Sequence, residues 1–61
     1  MLSEKLKNVR VDHNLTQQEL AELAKVPQST ISYIEQGKSP RTITLLKIAK
    51  ALDVKISELL E

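Results

Sequence analysis

The stretch Gln17-Gln18-Glu19-Leu20-Ala21-Glu22-Leu23-Ala24-Lys25-Val26-Pro27-Gln28-Ser29-Thr30-Ile31-Ser32-Tyr33-Ile34-Glu35-Gln36 decides the reading of this chain. Its apolar residues recur at helical spacing on both sides of one break. Before the break the stripe is Leu20, Ala21 and Ala24. After it, Ile31 and Ile34 take over. Thr16-Gln17-Gln18-Glu19 has the form of a capping box, the Thr16 hydroxyl and the Glu19 carboxylate satisfying end amides reciprocally. Pro27 ends any continuation, because it lacks an amide hydrogen and disfavours the helical region for Val26. A further helix should run from about Pro27 or Gln28 to Gln36. Gly37 then stands where a helix most often needs a left-handed terminating residue. Two short helices are thus joined by Lys25-Val26-Pro27. Ala21 supplies the small side chain where they cross closely, Val26 plugs the turn into the core, and Ile31 and Ile34 seat the second helix. This is the physical recipe of a helix-turn-helix.

Working outward, an earlier helix should begin after Ser3, a good N-cap, with Glu4 in its first turn favoured by the helix dipole. Leu2, Leu6 and Val9 lie along one stripe. That helix should end near Asp12 and His13, with Asn14 best able to take a left-handed conformation. Beyond Gly37, Ser39-Pro40-Arg41 forms a short loop. Thr42 is the expected N-cap of the next helix, with Arg41 as the alternative, and Leu45, Leu46, Ala49 and Leu52 are expected inward. Asp53-Val54-Lys55 breaks the pattern. A last short helix, about Ile56 to Leu60, should contribute Leu59 or Leu60 to the core. No sustained period-two run exists, so the expected fold class is all-α: a compact five-helix bundle forming one domain over 1–61, with the helix-turn-helix at about 17–36.

Composition narrows the function classes. A chain of 61 residues buries only about 60% of the surface its unfolded form exposes. It has no cysteine, which excludes disulfides and cysteine-ligated zinc. Tyr33 is the only aromatic residue, so the core must be aliphatic. No apolar run approaches the roughly 20 residues of a membrane-spanning helix, and the amino terminus lacks a secretory layout. A cytoplasmic protein is expected. No serine–histidine–acid arrangement, phosphate loop or carboxylate pair stands out, and His13 has no companion ligands. Neither enzyme chemistry, a cofactor nor a metal is expected.

Several segments resemble the Cro/C1-type, or Xre, helix-turn-helix family, which contains the phage repressors with their lambda-repressor-like domain. They are Thr16-Gln17-Gln18-Glu19-Leu20-Ala21, Gln28-Ser29-Thr30-Ile31-Ser32, Ile34-Glu35-Gln36-Gly37-Lys38 and Leu45-Leu46-Lys47-Ile48-Ala49-Lys50-Ala51-Leu52. The resemblance extends from Leu2 to Leu60. It implies a five-helix domain that binds operator DNA, usually as a two-fold symmetric dimer. The chain departs from the family at two places. Lys25 stands where a turn glycine is common, so positive φ with some strain is expected there. Pro27 replaces the serine or threonine that commonly caps the recognition helix.

Helix geometry indicates which side chains would meet DNA. At roughly 100° per residue, Gln28, Ser29, Ser32, Tyr33 and Gln36 share one side, opposite Ile31 and Ile34, with Thr30 between. Gln28 can pair bidentately with adenine, the serines can donate or accept, and Tyr33 can contact a thymine methyl or a phosphate. In the family, the positions matching Gln28, Ser29, Ser32 and Tyr33 are the usual readers. Gln17 opens a helix whose amides and dipole favour a phosphate, and the family uses the matching glutamine that way; the alternative is a solvated first-turn residue. Lys38 and Arg41 are the best-placed cations for the backbone beyond, or else ordinary loop cations. The acids Glu4, Asp12, Asp53, Glu58 and Glu61 fall away from that edge, so a net charge of +1 is compatible with a locally basic face. The resemblance also implies a partly buried ion pair between Arg10 and Glu35. The competing reading gives Arg10 a phosphate and leaves Glu35 solvated.

These expectations together describe a sequence-specific, double-stranded-DNA-binding transcriptional regulator, a repressor, acting as a homodimer. Two rivals stand beside it. One is a protein-interaction module working through Leu23, Leu59 or Leu60. The other is the DNA-binding part of a longer regulator.

Overall fold

In the computed structural model, which describes residues 1–60, the chain forms α1 (Leu2–Asp12), α2 (Gln17–Ala24), α3 (Gln28–Glu35), α4 (Thr42–Leu52) and α5 (Ile56–Leu60). All regular structure among the described residues is helical. Glu61, one of the expected acidic residues, lies outside them.

The first four helices end in the same way. Asn14 (φ 59°), Lys25 (φ 59°), Gly37 (φ 103°) and Asp53 (φ 56°) each take the left-handed conformation just beyond a helix. In every case the next amide reaches back to a carbonyl one turn inside the helix. Leu15 donates to Arg10, Val26 to Ala21, Lys38 to Tyr33 and Val54 to Ala49, at 3.0–3.1 Å. This six-to-one bond is the signature of a Schellman stop, which satisfies carbonyls the helix leaves orphaned. Leu15, Val26 and Val54 then pack their side chains against the core. At the remaining stop the corresponding residue is a lysine, Lys38.

The helix starts differ from one another. Thr16 and Glu19 form the full capping box: Glu19 N–H donates to Thr16 Oγ1 at 3.0 Å, and Thr16 N–H to Glu19 Oε1 at 2.9 Å. Ser3 does not cap α1. That helix begins two residues earlier, at Leu2, with Met1 at the N-cap and no side-chain cap, and Leu2 packs against the core. Arg41, rather than Thr42, occupies the N-cap of α4. Gln36 is the C-cap of α3, so the helix proper closes at Glu35.

α2 packs against both α3 and α4, while α1 bridges α3 and α5. The buried set is aliphatic throughout: Leu6, Leu20, Ala21, Ala24, Ile31, Ile34, Leu45, Ile48, Ala49, Leu52 and Leu59. One inward assignment fails. Leu46 is 47% exposed and Ile48 is fully buried instead. Leu45, Ile48, Ala49 and Leu52 follow the i, i+3, i+4, i+7 rule, and Leu46 falls on the flank of that stripe. At the end of the chain Leu59 is buried and Leu60 is exposed.

Candidate nucleic-acid interface

α3 has two unlike sides. Ile31 and Ile34 are buried in the core, whereas Gln28, Ser29 and Tyr33 are exposed and Ser32 and Thr30 are half-buried. The exposed side carries hydrogen-bonding groups without formal charge, which suits discrimination among base edges. Its groups are partly organised already. Gln36 Nε2 donates to Ser32 Oγ at 2.9 Å, leaving the Ser32 hydroxyl hydrogen free to donate outward. Pro27 stands at the N-cap of α3 in extended conformation and offers no side-chain cap, so the first-turn amides beside Gln28 and Ser29 retain their donor capacity.

The lysine that replaces an apolar residue at the α3 stop does not point idly into solvent. Lys38 Nζ lies 5.1 Å from the centroid of the Tyr33 ring, within cation–π range. In a Schellman stop these two positions commonly make an apolar contact. Here the cation on the ring stands in for it. The substitution keeps the stop closed while placing a positive charge beside the polar face of α3. Arg41 follows across the loop, and Thr30, Ser39 and Thr44 join Tyr33, Lys38 and Arg41 around an open depression of about 460 Å³. The sequence singled out the two cations but not Ser39 or Thr44. Their only signal was that they are hydroxyl residues in the same connection and the following first turn.

Glu35 closes the other end of α3. Its carboxylate accepts from Arg10 Nε at 2.7 Å and Arg10 Nη2 at 3.2 Å, and Arg10 Nη1 donates to the Leu15 carbonyl at 2.6 Å. The Arg10 and Glu35 side chains are 12% and 6% exposed, so both charges are largely out of water. Gln17 also turns to this site: its Nε2 donates to Glu35 Oε1 at 3.1 Å. One carboxylate therefore ties α1, α2 and α3 together. The side chain expected to face a phosphate is half-buried and partly committed to the protein, with one amide hydrogen and its carbonyl oxygen still unassigned. No buried side-chain polar atom among the described residues lacks a partner, and no group of three metal-ligating side chains comes together there.

Residues 6–59 match the family model described as helix-turn-helix. The chain belongs to that helix-turn-helix family, of the Xre/Cro type. As a member it is a DNA-binding regulator rather than an enzyme. Among its helix-turn-helix relatives, an uncharacterized HTH-type transcriptional regulator of Methanocaldococcus jannaschii is 44% identical over 59 residues, covering 95% of this chain and 89% of that protein. The HTH-type transcriptional activator BcrR of Enterococcus faecalis is also 44% identical over 59 residues, but these make up only 29% of its length. The crystal structure of the restriction-modification controller protein C.AhdI from Aeromonas hydrophila superposes with a TM-score of 0.91 at 30% identity, covering 95% of this chain and 89% of that one. No helix among the described residues is long and apolar enough to cross a membrane.

Proposed function

We propose that this helix-turn-helix unit, spanning 1–61, binds a specific double-stranded DNA sequence by setting α3 into the major groove. Gln28, Ser29, Ser32 and Tyr33 read base edges, while Lys38 and Arg41 hold the phosphate backbone on the far side. Gln17 offers the backbone its first-turn amide and the remaining hydrogen of its side-chain amide. The observation that carries this reading is the pairing of an exposed, uncharged polar face on α3 with cations at its exit. Base contacts specify and phosphate contacts position.

The protein acts in the cytoplasm as a homodimer, its two recognition helices entering successive major grooves about 34 Å apart on an inverted repeat. A body measuring 23 × 20 × 19 Å seated over a promoter excludes other proteins from that site, which makes repression the direct consequence of binding there. Selection of bound sequences from a random duplex pool tests all of this at once. Enrichment of an inverted repeat is expected. Recovery of the pool unchanged would remove both the specificity and the symmetry. A second arrangement is supported by the small share of BcrR that the chain matches: the same DNA-binding unit working inside a longer regulator.

A further inference from the structure

We propose that the groove between the end of α2 and the second half of α4 docks an acidic, amphipathic segment of a partner protein. Its floor is apolar, made by Ala24 and Ala51 with Leu23 standing half-exposed at the side. Its rim is cationic. Lys25, Lys47 and Lys50 line it, no acidic residue does, and the opening measures about 390 Å³. None of the three lysines takes part in an ion pair among the described residues. Lys25 is carried there by its left-handed backbone (φ 59°). Lys47 and Lys50 are one turn apart on α4, with exposed Leu46 at i−4 from Lys50.

The chemistry selects the occupant. Three like charges around an apolar floor are complementary to carboxylates flanking an apolar side chain, which is the pattern of an acidic amphipathic helix. A DNA backbone would satisfy the lysines but would leave Leu23 facing phosphate. Moreover, this groove shares no lining residue with the depression formed by Tyr33, Lys38 and Arg41. A second copy of the chain is a poorer match. Among the described acids, Glu19, Glu35 and Glu58 are committed to hydrogen bonds within the fold. The remaining ones, Glu4, Asp12, Glu22 and Asp53, are spread over three separate parts of it.

The test is fluorescence anisotropy of a short labelled peptide with Glu and Asp on one helical face and Leu on the other. Its controls are the same peptide with Leu changed to Ser and a version with Lys in place of the acids. The full chain should bind the acidic amphipathic peptide at least about tenfold more tightly than either control. Lys47→Gln combined with Lys50→Gln should abolish that preference, while the helical circular dichroism, the affinity for the selected duplex at moderate salt and the sedimentation coefficient stay unchanged. Equal binding of the Leu-to-Ser peptide, or indifference to the loss of these two charges, would overturn the proposal. A loss of duplex affinity in the double variant would reassign the lysines to DNA. A change in sedimentation would reassign the groove to a second copy.

Discussion

Glu35 receives both the Nε and Nη2 hydrogens of Arg10 across 25 residues of sequence, in a site where each side chain is nearly dry. The pair fixes α3, the helix that carries the reading residues, against α1. Removing one partner from such a site leaves the other charge buried without compensation, at about 3–5 kcal/mol. A domain of this length has a total stability of roughly 3–9 kcal/mol. Arg10→Met or Glu35→Leu alone should therefore remove about a third or more of the total stability. The double variant replaces the whole pair by apolar groups and should recover most of the loss, since a buried pair and its hydrophobic substitute are often equivalent. Urea titrations of the three variants check this. A double variant whose loss equals the sum of the two single losses would show that the two side chains act independently rather than as a coupled pair.

Lys25 and Gly37 occupy the same kind of helix stop with different side chains, and opposite stability changes are expected from exchanging their types. Lys25 sits at φ 59°, a conformation that costs an L-residue roughly 1–2 kcal/mol. Glycine avoids that cost but gives up about 0.5–1 kcal/mol in unfolded-chain entropy. Lys25→Gly should thus raise stability by up to about 1.5 kcal/mol. Gly37→Ala meets no steric obstacle, as nothing lies within 4 Å of a Cβ built there, yet φ is 103°. Its backbone strain alone should cost on the order of 1–2 kcal/mol. Thermal melts read both, at about 4–8 °C per kcal/mol for a domain of this size.

Much of this fold was legible because its punctuation is local. The capping box at Thr16, the break at Pro27 and the stop at Gly37 each depend on residues within one turn, and the bounds of α2 and α3 follow from them. Asn14 announced its left-handed turn by residue type, and Lys25 by the family's usual glycine. Asp53 tolerates the same conformation by residue type, and with Val54 and Lys55 it marked the break after α4, but its left-handed backbone was not singled out. Leu46 was misplaced because Leu45 and Leu46 are adjacent and chemically identical, so the choice rests on Ile48 two residues later. The interface was legible where it follows helix phase, as for Gln28 to Tyr33. It was illegible where it depends on tertiary contact: nothing in the sequence shows that Gln17 turns its amide toward Glu35, or that Lys38 settles on Tyr33.

The α4 phase makes a sharp mutational contrast. Ile48 is fully buried and Leu46 is 47% exposed. Ile48→Ala deletes packed methyl groups and leaves a cavity, at about 2–5 kcal/mol. Leu46→Ala should stay within about 0.5 kcal/mol, as surface changes do. Denaturant midpoints of the two variants decide it. Similar losses would mean that α4 is rotated about its axis from the position described here.

DNA binding by Gln28 and Lys38 should fail in different ways. Gln28 is exposed at the first position of α3 and bears the paired donor and acceptor that adenine's major-groove edge requires. Gln28→Ala should cost about 1–3 kcal/mol on the selected duplex and blunt the preference at one base pair, while random duplex is bound as before. Lys38 is a flexible point charge at the exit of α3, its Nζ 5.1 Å from the centroid of the Tyr33 ring, and a flexible ammonium suits a phosphate contact. Lys38→Ala should weaken binding to selected and random duplex alike. It should also lower the slope of log affinity against log salt by about 1, because one fewer counterion is released. Tyr33→Phe preserves the ring and should leave that slope intact. Titrations at several salt concentrations with both duplexes separate the outcomes. If Gln28→Ala lowers affinity for random duplex as much as for the selected one, the polar face of α3 positions the protein on DNA without reading it.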